Sequence, residues 1–198
     1  MRQTALLPTT LRPPDGHLLA QSVPLQDFLD WQPEVNGLKY QWKDGEILFG
    51  EDSIQQNERS VVANIVDRFA ETSAHRDGGR TFPETDCYLA PSDSVRRPDL
   101  AFFTLAQRRE GDLSRNPVPL FVVEIVSKHD LAIHIENKLR DYFAAGVQVV
   151  WYIYPTLQAV RVFRSFGEST LVKRTAICSA APVIAEFQIP AEELFRTP

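Results

Sequence analysis

The stretch PLFVVEIVS, residues 119–127, decides the fold. It is nearly continuous apolar sequence, mostly β-branched or aromatic, as in a central strand covered on both faces. Side chains alternate along a strand, so Leu120, Val122, Glu124 and Val126 point one way while Phe121, Val123 and Ile125 point the other. Glu124 is the ionisable residue within this run. A lone buried carboxylate is costly and is normally neutralised, paired or bound to a metal. A salt bridge to a nearby Arg or Lys, a place at the strand's exposed end, and a metal site all remain open on the strand alone.

On the C-terminal side, Leu131, Ile135, Leu139, Tyr142 and Phe143 line one face of a helix expected over 130–145, with Gly146 suited to the position just past its end. A second buried strand, VQVVWYIY (147–154), follows. Val160–Phe163 and Thr170–Thr175 then read as outer strands, and a short helix begins at Ala191. On the N-terminal side, Thr85–Leu89 and Val95–Phe103 read as strands joined by Pro91-Ser92-Asp93-Ser94. Arg108–Pro117 is polar, a loop or short helix. Val61, Val62, Ile65, Val66 and Phe69 form the apolar stripe of a helix over 54–72, with Ser53 as its N-cap. HRDGGR (75–80) reads as a loop. Asp44-Gly45 between the apolar runs 38–42 and 47–49 predicts a hairpin, and Leu25, Phe28 and Leu29 a short helix over 24–31. Residues 1–20 lack periodicity and are expected to be a flexible tail, which leaves 21–198 as a single domain. With one long βαβ crossover, this order predicts an α/β (α+β-like) fold, a mixed central sheet flanked by helices.

The chain has 198 residues, a formal net charge of −5, and 24% charged residues. A domain of this size buries roughly 70% of its unfolded surface and needs no metal or disulfide staple. The acidic balance means that any nucleic-acid function must rest on a local site, because no overall positive field gathers phosphates. Cys87 and Cys178 form no CxxC pair and suggest a reducing, cytoplasmic setting. No run suits a signal peptide or a membrane span. His17, His75, His129 and His134 show no HxH or HExxH spacing, and no P-loop, Rossmann or GxSxG motif occurs.

Asp99, in RRPDLAFF, follows Pro98 at the expected start of a strand. On its own this is ordinary turn chemistry; beside Glu124 on a neighbouring strand it supplies a second hard oxygen ligand of the kind Mg²⁺ favours. Lys138 shares a helical stripe with His134 and Tyr142. It reads either as a snorkelling lysine at the helix flank or as a cation turned toward the sheet.

The blocks YQWKDGEI (40–47), VRRPDLAFF (95–103), LFVVEIVSKHD (120–130), KLRDYFAAGVQVVWYIYP (138–155) and PVIAEFQIPAEELF (182–195) resemble the PD-(D/E)xK nuclease superfamily. More narrowly, they resemble its Uma-two family of restriction-endonuclease-like proteins. The resemblance implies that Asp99 and Glu124 are the metal-binding acids, with the Ile125 backbone carbonyl as a further ligand. The superfamily lysine normally lies two residues after the glutamate, where this chain has Val126; Lys138 matches the lysine that family members carry on the next helix. Glu58 corresponds to a helix glutamate that some superfamily members add to the site, although a glutamate in a first helical turn also simply suits the helix dipole. The implied activity is Mg²⁺-dependent endonucleolytic hydrolysis of DNA, with Mn²⁺ as substitute. Arg96, Arg97 and Lys128 are the expected phosphate contacts, with Arg108 and Arg109 as further candidates, and a homodimer is expected. The displaced lysine and the acidic charge favour the alternative, a catalytically inactive module that keeps the fold and binds nucleic acid or a protein.

Overall fold

The computed structural model describes residues 22–30, 38–51, 56–110, 117–127 and 130–197, without the side chains of 38, 49–51 and 56–58. The expected tail (1–20), the Ser53 cap and Lys128 lie outside the described residues. The chain forms two compact units, Met1–Ser53 and Ile54–Pro198.

In the first unit, helix α1 (Leu25–Leu29) precedes the antiparallel pair β1 (Leu38–Lys43) and β2 (Glu46–Glu51). Their turn is the expected Asp44-Gly45, with both φ angles positive at 51° and 87°, the geometry of a two-residue hairpin that Asp-Gly favours. Trp42 is buried, and its indole Nε1 donates to the Val23 carbonyl at 2.7 Å.

The second unit begins with α2 (Gln56–Ala70), α3 (Ser73–Arg76), β3 (Arg80–Pro83), β4 (Cys87–Leu89), β5 (Ser94–Arg96), β6 (Leu100–Phe103) and α4 (Leu105–Arg109). It continues through β7 (Phe121–Ile125), α5 (Ala132–Ala144), β8 (Val149–Tyr154), β9 (Ala159–Ser165), β10 (Glu168–Lys173), β11 (Ile177–Ser179), β12 (Gln188–Pro190) and α6 (Ala191–Leu194). Six strands form one mixed sheet in the order β10-β9-β8-β7-β6-β3. Only its β7–β8 neighbours run parallel, joined by the α5 crossover, and the other neighbouring strands are antiparallel.

Three details depart from the sequence reading. The strand expected over 95–103 is two strands, because Pro98 has no N–H to give a ladder: β5 pairs with β4, while β6 joins the six-stranded sheet. The loop expected over 75–80 starts inside the one-turn α3, capped by the Thr72 hydroxyl, which accepts from His75 N at 3.1 Å, and ends at the first residue of β3. Arg80–Pro83, left unassigned by pattern, pairs with β6 at the sheet edge.

Two cores sit on opposite faces of the sheet. On one, Val61, Ile65 and Phe69 of α2 pack on Phe102, Phe121, Val123, Trp151 and Phe187. On the other, Leu139 and Tyr142 of α5 pack on Ala101, Phe103, Val122, Val150 and Tyr152. The strand alternation expected for β7 holds: Val122 faces α5, and Phe121 and Val123 face α2. Gly146 follows α5 with φ +99°, and Val147 N there donates to the Tyr142 carbonyl at 3.1 Å, which ends the helix as expected. Among the described residues no helix is long and apolar enough to cross a membrane.

Candidate active site

Glu124 lies near the C-terminal end of β7, on the face covered by α5, and is 5% exposed. Burial of its charge is compensated by two donors on that helix. Lys138 Nζ lies 3.1 Å from Oε2, and the Tyr142 hydroxyl donates to Oε1 at 2.5 Å. Lys138 and Tyr142 are four residues apart and therefore present side chains one turn apart on one stripe. The Lys138 side chain is itself partly exposed, as suits a long cation at a helix flank.

Asp99 precedes β6. The register Leu100↔Val123 and Ala101↔Val122, continued by one step, sets Asp99 opposite Glu124. Directly opposed residues of an antiparallel pair have Cβ atoms about 4.5–5.5 Å apart and share a face. Asp99 Oδ2 accepts the Ile125 N–H at 2.5 Å, so its carboxylate stands where a ladder carbonyl would otherwise be. Asp99, one residue before β6, is thus tied to the peptide that follows Glu124.

Beside Glu124 opens a small pocket of about 20 Å³, lined by Glu124, Ile125, Asp130, His134, Lys138 and Tyr152, among others. Such a volume holds little more than one water-sized occupant. Asp99 is not part of its lining. Among the described residues no group of three or more His, Cys, Asp or Glu forms a metal cage. Asp99, Glu124 and the Ile125 carbonyl would offer a metal ion oxygen atoms alone. That fits Mg²⁺, which keeps several waters and seldom occupies an all-protein cage.

The charge on Glu124 is felt around it. The Tyr142 phenol is pushed well above its usual range, first by burial and then by the Glu124 charge and the hydrogen bond to it. Tyr152 and Cys87 are also raised, each mainly by burial, with Glu124 adding to the effect.

The expected phosphate contacts fare differently. Arg96 is corrected: it is 3% exposed, and both Nε and a terminal nitrogen hold Asp141 Oδ2, at 3.0 and 2.5 Å. A guanidinium enclosed in this way braces the segment before Asp99 against α5 and has no surface to offer a phosphate. Arg97 is half-buried and grips Asp86 with two bonds, at 2.8 and 3.0 Å. Arg108 is also half-buried, its Nη1 donating to the Gly78 carbonyl at 2.7 Å, whereas Arg109 is exposed. Lys128 and the side chain of Glu58 lie outside the described residues. Val126, two residues after Glu124, packs partly buried against the α5-side core. Sequence reasoning missed two residues of the site, Tyr142 as the second donor to Glu124 and Asp141 as the mate of Arg96. The signal for Tyr142 was its i+4 spacing from Lys138.

The fold, a mixed sheet flanked by helices, is of the restriction-endonuclease-like class. The chain belongs to the Uma2 family, whose description reads "Putative restriction endonuclease" and whose model matches residues 25–192. Its fold is shared by a solved structure from Anabaena variabilis ATCC 29413, described as a "putative nuclease belonging to DUF820". That chain is 20% identical with a TM-score of 0.73, over 87% of this chain and 97% of the other. Comparison with curated proteins finds no match.

Proposed function

We propose that this protein is a Mg²⁺-dependent endonuclease that hydrolyses DNA phosphodiester bonds. Asp99, Glu124 and the Ile125 carbonyl would hold the ion, with Mn²⁺ as an alternative. Bound there, the ion supplies Lewis-acid polarisation of the scissile phosphate and a lowered pKa for a coordinated water. The chain's own contribution is positional. Asp99, hydrogen-bonded to Ile125 N, would present its carboxylate beside the end of β7, and Lys138 would bring a positive charge beside Glu124, where negative charge develops on the phosphate. Arg97 and Lys128 would touch backbone phosphates, which orients the duplex but reads no sequence. Cutting both strands of a duplex needs two active sites or two successive events, and a homodimer would supply the two sites.

The observation that carries this proposal is the 3.1 Å approach of Lys138 Nζ to Glu124 Oε2. An amine missing from its usual strand position reaches the acid from the neighbouring helix. Cleavage of plasmid and single-stranded DNA in Mg²⁺ or Mn²⁺ tests the proposal. Wild type is expected to cut, and Asp99→Ala and Glu124→Ala to lose at least about 100-fold in rate, which is about 2.7 kcal/mol of transition-state stabilisation. Equal rates for all three reject it. Retention of DNA without cleavage, even by wild type in Mn²⁺, would instead assign a binding module that keeps the fold.

A further inference from the structure

We propose that Tyr142 is a positioning residue for this site, its hydroxyl fixing the Glu124 carboxylate so that the acid presents one set orientation to a divalent cation. The inference deepens the endonuclease reading and rests on it. Glu124 projects from a strand, and a carboxylate there turns freely about its last bond unless something holds it. The Tyr142 hydroxyl holds it by donating to Oε1 at 2.5 Å, within the range of charge-assisted O–H···O⁻ bonds, which are roughly twice as strong as neutral ones. The phenol cannot wander, because Tyr142 has no exposed surface and packs with Leu139, Val122 and Tyr152.

Tyr152 makes a natural contrast. It lies directly across from Glu124 in the parallel register of β7 and β8, buried on the same face. Its hydroxyl is committed elsewhere, donating to the Ile135 carbonyl at 2.8 Å. Two buried phenols thus flank one acid, and the one on α5 orients it. The other oxygen, Oε2, faces Lys138. Outer partners of metal-binding side chains act in this way, and their loss typically costs about 10–100-fold in metal affinity.

The test compares wild type, Tyr142→Phe and Tyr152→Phe, each of which removes one oxygen and keeps the ring in the core. Mn²⁺ binding is followed by the paramagnetic resonance signal of the free ion. Tyr142→Phe is expected to raise the dissociation constant about 10-fold or more, and Tyr152→Phe to leave it within about 2-fold. In metal-free protein, a strongly downfield hydroxyl proton should be present in wild type, absent in Tyr142→Phe and shifted in Glu124→Gln. Wild-type uptake of Mn²⁺ with unchanged affinity in Tyr142→Phe overturns the positioning role and leaves the endonuclease reading standing. Absence of the downfield proton from wild type overturns the positioning role too. No uptake by wild type up to millimolar Mn²⁺ overturns both.

Discussion

The two faces of the six-stranded sheet are built from the same strands yet differ in kind. The α2 face is an aromatic stack: Phe121 meets Trp151 edge-on at 5.0 Å, and Trp151 lies nearly parallel to Phe187 at 5.5 Å. The α5 face is comparably buried but holds Glu124, Tyr142, Tyr152 and the Arg96–Asp141 pair within its apolar packing. The first face is held by area and shape, which no single polar contact governs. The second depends on each polar group finding its mate, because an unmatched buried charge is far more costly than a lost methyl group.

Substitutions on one strand can break this contrast. Glu124→Ala, facing α5, is expected to remove cleavage by at least about 100-fold, measured as turnover per folded molecule. Phe121→Ala, three residues away and facing α2, should destabilise the fold by about 3–5 kcal/mol in urea titration, with cleavage per folded molecule retained. If Phe121→Ala instead abolished turnover without loss of stability, the separation of roles would be wrong.

The buried ion pair sharpens the comparison within the α5 face. Asp141→Ala leaves Arg96 enclosed without its mate and should cost about 3–5 kcal/mol, read as a lowered denaturation midpoint. The exposed Arg68–Glu71 pair on the other side provides the contrast. Arg68→Ala should change stability by less than about 1 kcal/mol, since an exposed pair is weak and screened.

Between these magnitudes lies a pH effect. Burial pushes the Cys178 thiol up to about 12, whereas in the unfolded chain it titrates near its ordinary value of about 8.5. Above that value the unfolded state releases a proton that the folded state keeps. Stability from this group is therefore intact below about pH 8.5 and declines as pH rises toward 12, by about 1.4 kcal/mol per unit. Stability measured from pH 8 to 10 should fall, and Cys178→Ala should flatten part of the slope.

Much of this was legible in the sequence, for reasons that can be named. The apolar run around Glu124 fixed a two-sided central strand, and the stripe through Leu139 and Tyr142 fixed the crossover helix and the face it covers. Asp44-Gly45 dictated its turn, and Gly146 its helix end. Pro98 signals the break of the expected 95–103 strand, but the apolar pattern persists across it and masks the break. Arg96 was misjudged because charge alone does not reveal depth; its mate, Asp141, lies 45 positions away on α5. The reach of Lys138 could not be read from spacing either. It depends on how α5 lies across β7, which is set by tertiary packing.

The measurement that tests the central claim most directly is the anomalous scattering of a crystal soaked in Mn²⁺. The account predicts one strong peak within bonding distance of the Asp99 and Glu124 carboxylates and the Ile125 carbonyl, lost in crystals of Glu124→Ala. A map with no peak there, both acids still closed on Ile125 N, Lys138 and Tyr142, would contradict it.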